Sequence, residues 1–116
     1  MPVVIVKDSI TKEDLKNIAK KQFGDIVKAV IDVEQEIMAL GGELHSDEEV
    51  ALIEQENSKR EHTWGINLYP QKPAEDWIEF DSVINLKPSF GNHSRGVDNP
   101  EIKKKIKTIV EKLIRQ

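Results

Sequence analysis

The sequence predicts a single α+β domain of order βαββαββα, an antiparallel or mixed five-stranded sheet with helices mainly on one face. Three observations carry this. Apolar residues alternate with period two in several segments. Apolar stripes of helical spacing follow recognisable cap residues elsewhere, and 116 residues suit one hydrophobic core, so residues 1–116 form one domain.

Val3 to Lys7 is a β-branched run that reads as the first strand, with Asp8-Ser9 as its exit. Thr11 and Asp14 stand at capping-box spacing and Ile10 and Leu15 can form a hydrophobic staple. Leu15, Ile18, Ala19 and Phe23 then mark a helical stripe that Gly24 is placed to end in a left-handed conformation. From Ile26 to Leu44 the period is two. A hairpin turning at Glu34-Gln35 pairs Ile31 with Met38 and Ala29 with Leu40, although Glu-Gln is poor chemistry for a two-residue turn and a longer loop or slipped register stays open.

Ser46 with Glu49 forms a capping box, and Asp47, Glu48 and Glu49 set negative charge against the positive end of a second helix, about Asp47 to Asn57. His62 to Tyr69 alternates with Trp64, Ile66 and Leu68 on one side, and Asp76 to Lys87 with Ile78, Phe80, Ile84 and Leu86. These are two strands joined by a loop from Pro70 to Glu75. Pro88 to Asn99 lacks periodicity and reads as a loop. Asn99 or Asp98 caps the last helix, with Pro100 in its first turn and Ile102, Ile106, Ile109, Val110 and Leu113 as its buried stripe.

The chain has no cysteine, which excludes disulfides, thiol nucleophiles and cysteine-held metal clusters. No run approaches the ~20 apolar residues of a membrane-spanning helix, and Met1 to Lys7 lacks the regions of a signal peptide, so a cytoplasmic protein with no membrane partner is expected. A net charge of −4 does not favour nucleic acid. The charge is split: residues 1–86 carry 9 Lys/Arg against 18 Asp/Glu, a balance of −9, and residues 87–116 carry 8 against 3, a balance of +5. The two halves attract each other, and the basic end can also meet an anion.

Three segments hold the candidate chemistry. Glu43 and His45, two apart at the end of the third strand, share a face and with Asp81 or Glu79 could form an acid/base or metal-ligating set, the basis of a small hydrolase; they fit equally as exposed residues flanking the next helix. Thr63, Gly65, Asn67 and Tyr69, with Trp77, Glu79, Asp81 and Asn85, form the polar side of the last two strands, either a wet outer face or a platform for a flat ligand. Ser89 to Gly96 is the densest segment, where Asn92, Ser94 and Arg95 between two glycines suit an anion-binding loop; Arg95 pairing with the acidic half is the structural alternative. The last helix adds a basic side at Lys103, Lys104, Lys105 and Lys107. No P-loop, HExxH, GxSxG or dinucleotide fingerprint is found, no metal set is assigned, and no cofactor can be named. The leading expectation is a binding module for an anionic ligand, a nucleotide or nucleic-acid phosphate, using Arg95, Asn92, Ser94, Asn67 and Asn85. The rivals are the hydrolase on Glu43, His45 and Asp81, and a structural protein docking through a sheet edge or the basic helix, a homodimer included.

Phe23-Gly24-Asp25, Val27-Lys28-Ala29-Val30, Gly41-Gly42-Glu43-Leu44-His45, Trp64 to Pro70, Trp77 to Ser82 and Gly91-Asn92 through Ser94-Arg95-Gly96 together resemble an uncharacterised family of small prokaryotic proteins classed as a domain of unknown function. The likeness runs nearly end to end and implies a bacterial or archaeal cytoplasmic protein, with no activity or catalytic residue to carry over. Glu34-Gln35-Glu36 departs from the glycine associated with that family's hairpin turn.

Overall fold

The computed structural model of the chain describes residues 2–116. Along the chain run β1 (Val4–Val6), β2 (Ile10–Thr11), α1 (Lys12–Lys21), β3 (Val27–Asp32), β4 (Ile37–Leu40), α2 (His45–Glu56), β5 (Thr63–Leu68), β6 (Ile78–Glu79), α3 (Pro100–Leu113) and β7 (Ile114–Arg115). Five strands form one antiparallel sheet in the order β1-β4-β3-β5-β6. The expected α+β class and the five expected strands are all present. A parallel two-residue pairing of β2 with β7 clamps the end of α3 to the start of α1, a link that such short segments do not announce in sequence.

Alternation sorts the sheet into two faces. Val27, Ala29, Ile31, Met38, Leu40, Trp64, Ile66 and Leu68 point to one side, where Leu15 and Ala19 of α1 and Ile106, Ile109, Val110 and Leu113 of α3 complete a continuous apolar core. Each such fully buried Leu or Ile contributes ~1.5–3 kcal/mol, so this face supplies most of the stability. Val30, Ile37 and Ala39 point the other way and pack with Leu52 of α2 and Ile84 in a smaller cluster. Two helices thus share one face and the third covers its opposite. Caps act as expected at α1, where the Asp14 amide donates to Thr11 Oγ1 at 3.1 Å, and at α3, where Glu101 N donates to Asn99 Oδ1 at 2.8 Å. Gly24, at φ +94°, donates to the Ala19 carbonyl and ends α1.

The hairpin register is the expected one, Ile31 opposite Met38 and Ala29 opposite Leu40. Its turn is longer than two residues, because Asp32 pairs with Ile37 and leaves Val33 to Glu36 as a four-residue loop. The buried Asp32 carboxylate builds that loop: it accepts from Glu34 N at 2.9 Å, Gln35 N at 3.0 Å, Gln35 Nε2 at 2.9 Å and Ser58 Oγ at 2.6 Å. Glu36 closes it in the left-handed region, φ 57°, where glycine fits with less strain.

Three local expectations are corrected. The capping box at Ser46 does not form: α2 begins at His45 after Leu44, with no side-chain cap, because Glu49 instead accepts from Thr63 Oγ1 at 2.6 Å and from Arg60 at 3.2 Å. The strand from Asp76 to Lys87 stops at Glu79, and the chain crosses the second face as a 3-10 turn, Val83–Asn85. With the alternation broken, Trp77 joins the main core rather than the polar side, and Ile84 joins the smaller cluster. Phe23 lies beyond the end of α1 and is 46% exposed, so it is no part of that helix's buried stripe.

Candidate functional site

The second face is held by directed polar bonds. Asp32, Glu48, Glu49, Ser58, Thr63, Asn67, Ser82, Asn85, Lys87 and Asn92 are the buried polar side chains, and all cover or border this face. Asn85 explains why the chain leaves the sheet. Its Oδ1 accepts the Gly65 amide at 2.8 Å while Nδ2 donates to the Gly65 carbonyl at 3.0 Å and to the Arg95 carbonyl at 2.8 Å. One side-chain amide thus takes both backbone groups of Gly65. Only glycine admits this approach, since a Cβ there would stand 2.6 Å from Ser82 Cβ.

The loop from Ser89 to Gly96 is satisfied from within. Asn92 Nδ2 donates to the carbonyls of Asn85 at 2.7 Å, Ser94 at 3.1 Å and Gly96 at 2.9 Å, and its Oδ1 accepts from Asp98 N at 2.8 Å. Ser94 Oγ and His93 N donate to the two oxygens of Asp98 at 2.6 and 2.8 Å, and these bonds hold the Asp98 carboxyl below its ordinary pKa. The hydroxyl and amide that a phosphate would use already bind this internal anion. Lys87 ties the preceding segment down through the carbonyls of Arg60 and Thr63, and burial lowers its pKa to about 8.

What the loop offers outward is Arg95. Its Nε donates to Asp81 Oδ1 at 2.7 Å, which fixes the guanidinium and leaves the terminal nitrogens for a ligand. Arg95 lines an open depression of about 250 Å³ together with Lys28, Leu44, His45, Ser46, Ser82, Val83 and Ile84. Each arrives for a traceable reason. Lys28 lies opposite Asn67 in the β3–β5 ladder, on the same face as Val30; His45 and Ser46 open α2; Ser82 precedes the 3-10 turn that Asn85 draws inward. No carboxylate lines the depression, although the protein is acidic. α2 has no side-chain cap, and its first two residues, His45 and Ser46, at the positive end of its dipole, share this lining with Lys28 and Arg95.

His45 Nε2 lies 2.8 Å from the Ile66 carbonyl, and a ring nitrogen facing a carbonyl is its N–H donor. Burial lowers the His45 pKa, with Lys28 adding to the effect, while the Ile66 carbonyl, Asn67 and Asp81 oppose it. The imidazole is therefore neutral at pH 7 and gains a proton more readily when an anion sits beside it.

The sequence-selected residues divide accordingly. His45 and Arg95 share the depression, and Asp81 pairs with Arg95 at its edge. Asn67 is buried beneath, donating to Glu79 at 2.8 Å and to the Asp81 carbonyl at 3.3 Å. Asn85, Asn92 and Ser94 bind protein groups. Glu43 is exposed and lines a neighbouring depression, so Glu43, His45 and Asp81 do not form one set. The pairing on a strand face fails because β4 ends at Leu40 and His45 is already helical. Among the described residues no three His, Asp or Glu side chains are grouped to hold a metal ion. Sequence reading missed Lys28 and Ser82. Lys28 carried a signal, the one charge inside the apolar run from Val27 to Ile31.

These features define a small α+β domain with one cation-lined depression at a helix start. The chain matches the family described as a protein of unknown function, DUF5674, over residues 4–113, and it belongs to that family. No curated protein matches it, and no solved structure does. Among the described residues no helix is long and apolar enough to cross a membrane.

Proposed function

We propose that this protein is a binding module for a small anionic ligand bearing a phosphate, working in the cytoplasm of a prokaryotic cell. The observation that carries the reading is the depression where Lys28, Arg95 and the uncapped start of α2 converge with no carboxylate in the lining. Lys28 has no acidic partner within ion-pair distance among the described residues, and the exposed Ser46 adds a hydroxyl donor. Two cations and helix amides around a concave surface are a standard means of holding phosphate oxygens. The ligand contact on the 89–96 loop is then the Arg95 side chain, with Asn85 and Asn92 positioning it. Isothermal titration with inorganic phosphate and sulfate at low ionic strength tests the reading. Saturable binding that Arg95→Ala and Lys28→Ala each weaken about tenfold, the scale of one charge-assisted contact, is expected. Absence of binding, or binding indifferent to both substitutions, refutes it.

A further inference from the structure

We infer that the ligand is a free mononucleotide, lying across two joined depressions with its phosphate against Lys28 and Arg95 and its base on Phe23. This rests on the anion reading above and goes further by naming the apolar half of the ligand. A second depression, about 440 Å³, is lined by Lys21, Gln22, Phe23, Lys28, Glu43 and Leu44, and it shares Lys28 and Leu44 with the first. One lysine therefore faces both halves. Its Nζ lies 5.3 Å from the centroid of the Phe23 ring, and Lys28 is also among the residues lining the anion depression.

Phe23 and Leu44 are 46% and 55% exposed, so two large apolar side chains stand in water beside a pair of cations. The Phe23 backbone is nevertheless fixed. Gly24 N donates to the Ala19 carbonyl at 2.7 Å and Gln22 Nε2 to the Gly41 carbonyl at 2.6 Å, which fastens the turn to the end of β4. A ring on an anchored turn, 46% exposed and with the Lys28 ammonium over it, can serve as a stacking platform. The Glu43 carboxylate, in the same lining, is an acceptor suited to ribose hydroxyls or an exocyclic amine. Two cations match one phosphate group, whereas a polymer needs a longer basic track than a chain of net charge −4 displays here.

Titration calorimetry with inorganic phosphate, ribose 5-phosphate, adenosine monophosphate and a single-stranded hexanucleotide separates the claims. Adenosine monophosphate is expected to bind at least ten times more tightly than ribose 5-phosphate. Phe23→Ala and Phe23→Leu should remove that ratio, and Arg95→Ala should weaken all phosphate ligands alike. Equal affinity for the nucleotide and the sugar phosphate, or a ratio that survives Phe23→Ala, overturns the inference and leaves the anion site standing. A hexanucleotide bound more tightly than the monomer overturns the assignment to a free nucleotide. If none of the four binds, the inference and the anion reading fall together.

Discussion

The two faces of the sheet are built on different physics. The face under α1 and α3 is a continuous apolar core, with the Lys87 ammonium over its Trp64 ring at 4.3 Å. The face under α2 has a small apolar cluster and is otherwise fastened by Asp32, Glu49, Thr63, Asn85, Lys87 and Asn92 bonding to backbone or to one another. Apolar packing is non-directional and tolerates exchange among similar shapes, while a buried hydrogen bond fixes distance and angle and leaves a costly orphan when one partner goes. The first face therefore gives stability. The second gives geometry, and the cation-lined depression lies on it.

Asn85→Ala tests that division most severely. It orphans Gly65 N, Gly65 O and the Arg95 carbonyl, each at ~1–3 kcal/mol, so a loss of about 4 kcal/mol is expected by chemical denaturation. Any folded fraction should bind phosphate more weakly, because Arg95 is released. A loss under 1 kcal/mol would show that the second face rests on its apolar cluster after all.

Glu48 sharpens the comparison from the opposite direction. It is completely buried, its Oε2 accepts from Gly42 N at 2.9 Å, its Oε1 has no partner, and burial raises its pKa to about 9. The folded carboxyl keeps its proton between the ordinary value of 4.5 and about 9, whereas the unfolded one loses it. Stability from this group is therefore full below pH 4.5 and falls as pH rises towards 9. By pH 7 the loss is about 3 kcal/mol at ~1.4 kcal/mol per unit. Glu48→Gln keeps the acceptor and cannot ionise, so it should gain about 2 kcal/mol at pH 7, the new amide's unpaired hydrogens offsetting the rest, and no such gain at pH 4.5. Denaturant titrations at both pH values check this, and a gain independent of pH would contradict it.

The smallest effect falls at the hairpin. Glu36→Gly relieves the φ of 57° at the loss of the exposed ion pair with Lys112, and a small net rise in the thermal unfolding midpoint is expected. An unchanged or lower midpoint would mean that the ion pair outweighs the backbone strain.

The same contrast decides what was legible in the sequence. Val27, Ala29, Ile31, Met38 and Leu40 could be assigned to one face and to the correct register because burial follows a simple period. Asn85 looked like the next alternating strand residue, since nothing beside it announces that a side-chain amide will take the backbone groups of Gly65. Glu49 reads as the capping-box partner of Ser46 and Glu48 as a charge set against the helix dipole, yet both are buried, Glu48 beside Gly42 and Glu49 bonded to Thr63. The site divides along the same line. His45 and Arg95 are selected from sequence and come together, while Lys28, the one charge in its apolar run, is not selected, and the loop around Ser94 binds Asp98.

The most direct test of the central claim is a backbone and imidazole NMR titration with inorganic phosphate. Shifts are expected to concentrate at Lys28, His45, Ser46, Ser82 and Arg95, with the His45 pKa, held low in the free protein, rising as phosphate binds. Shifts centred instead on His93, Ser94 and Asp98, or none up to millimolar phosphate, would contradict it.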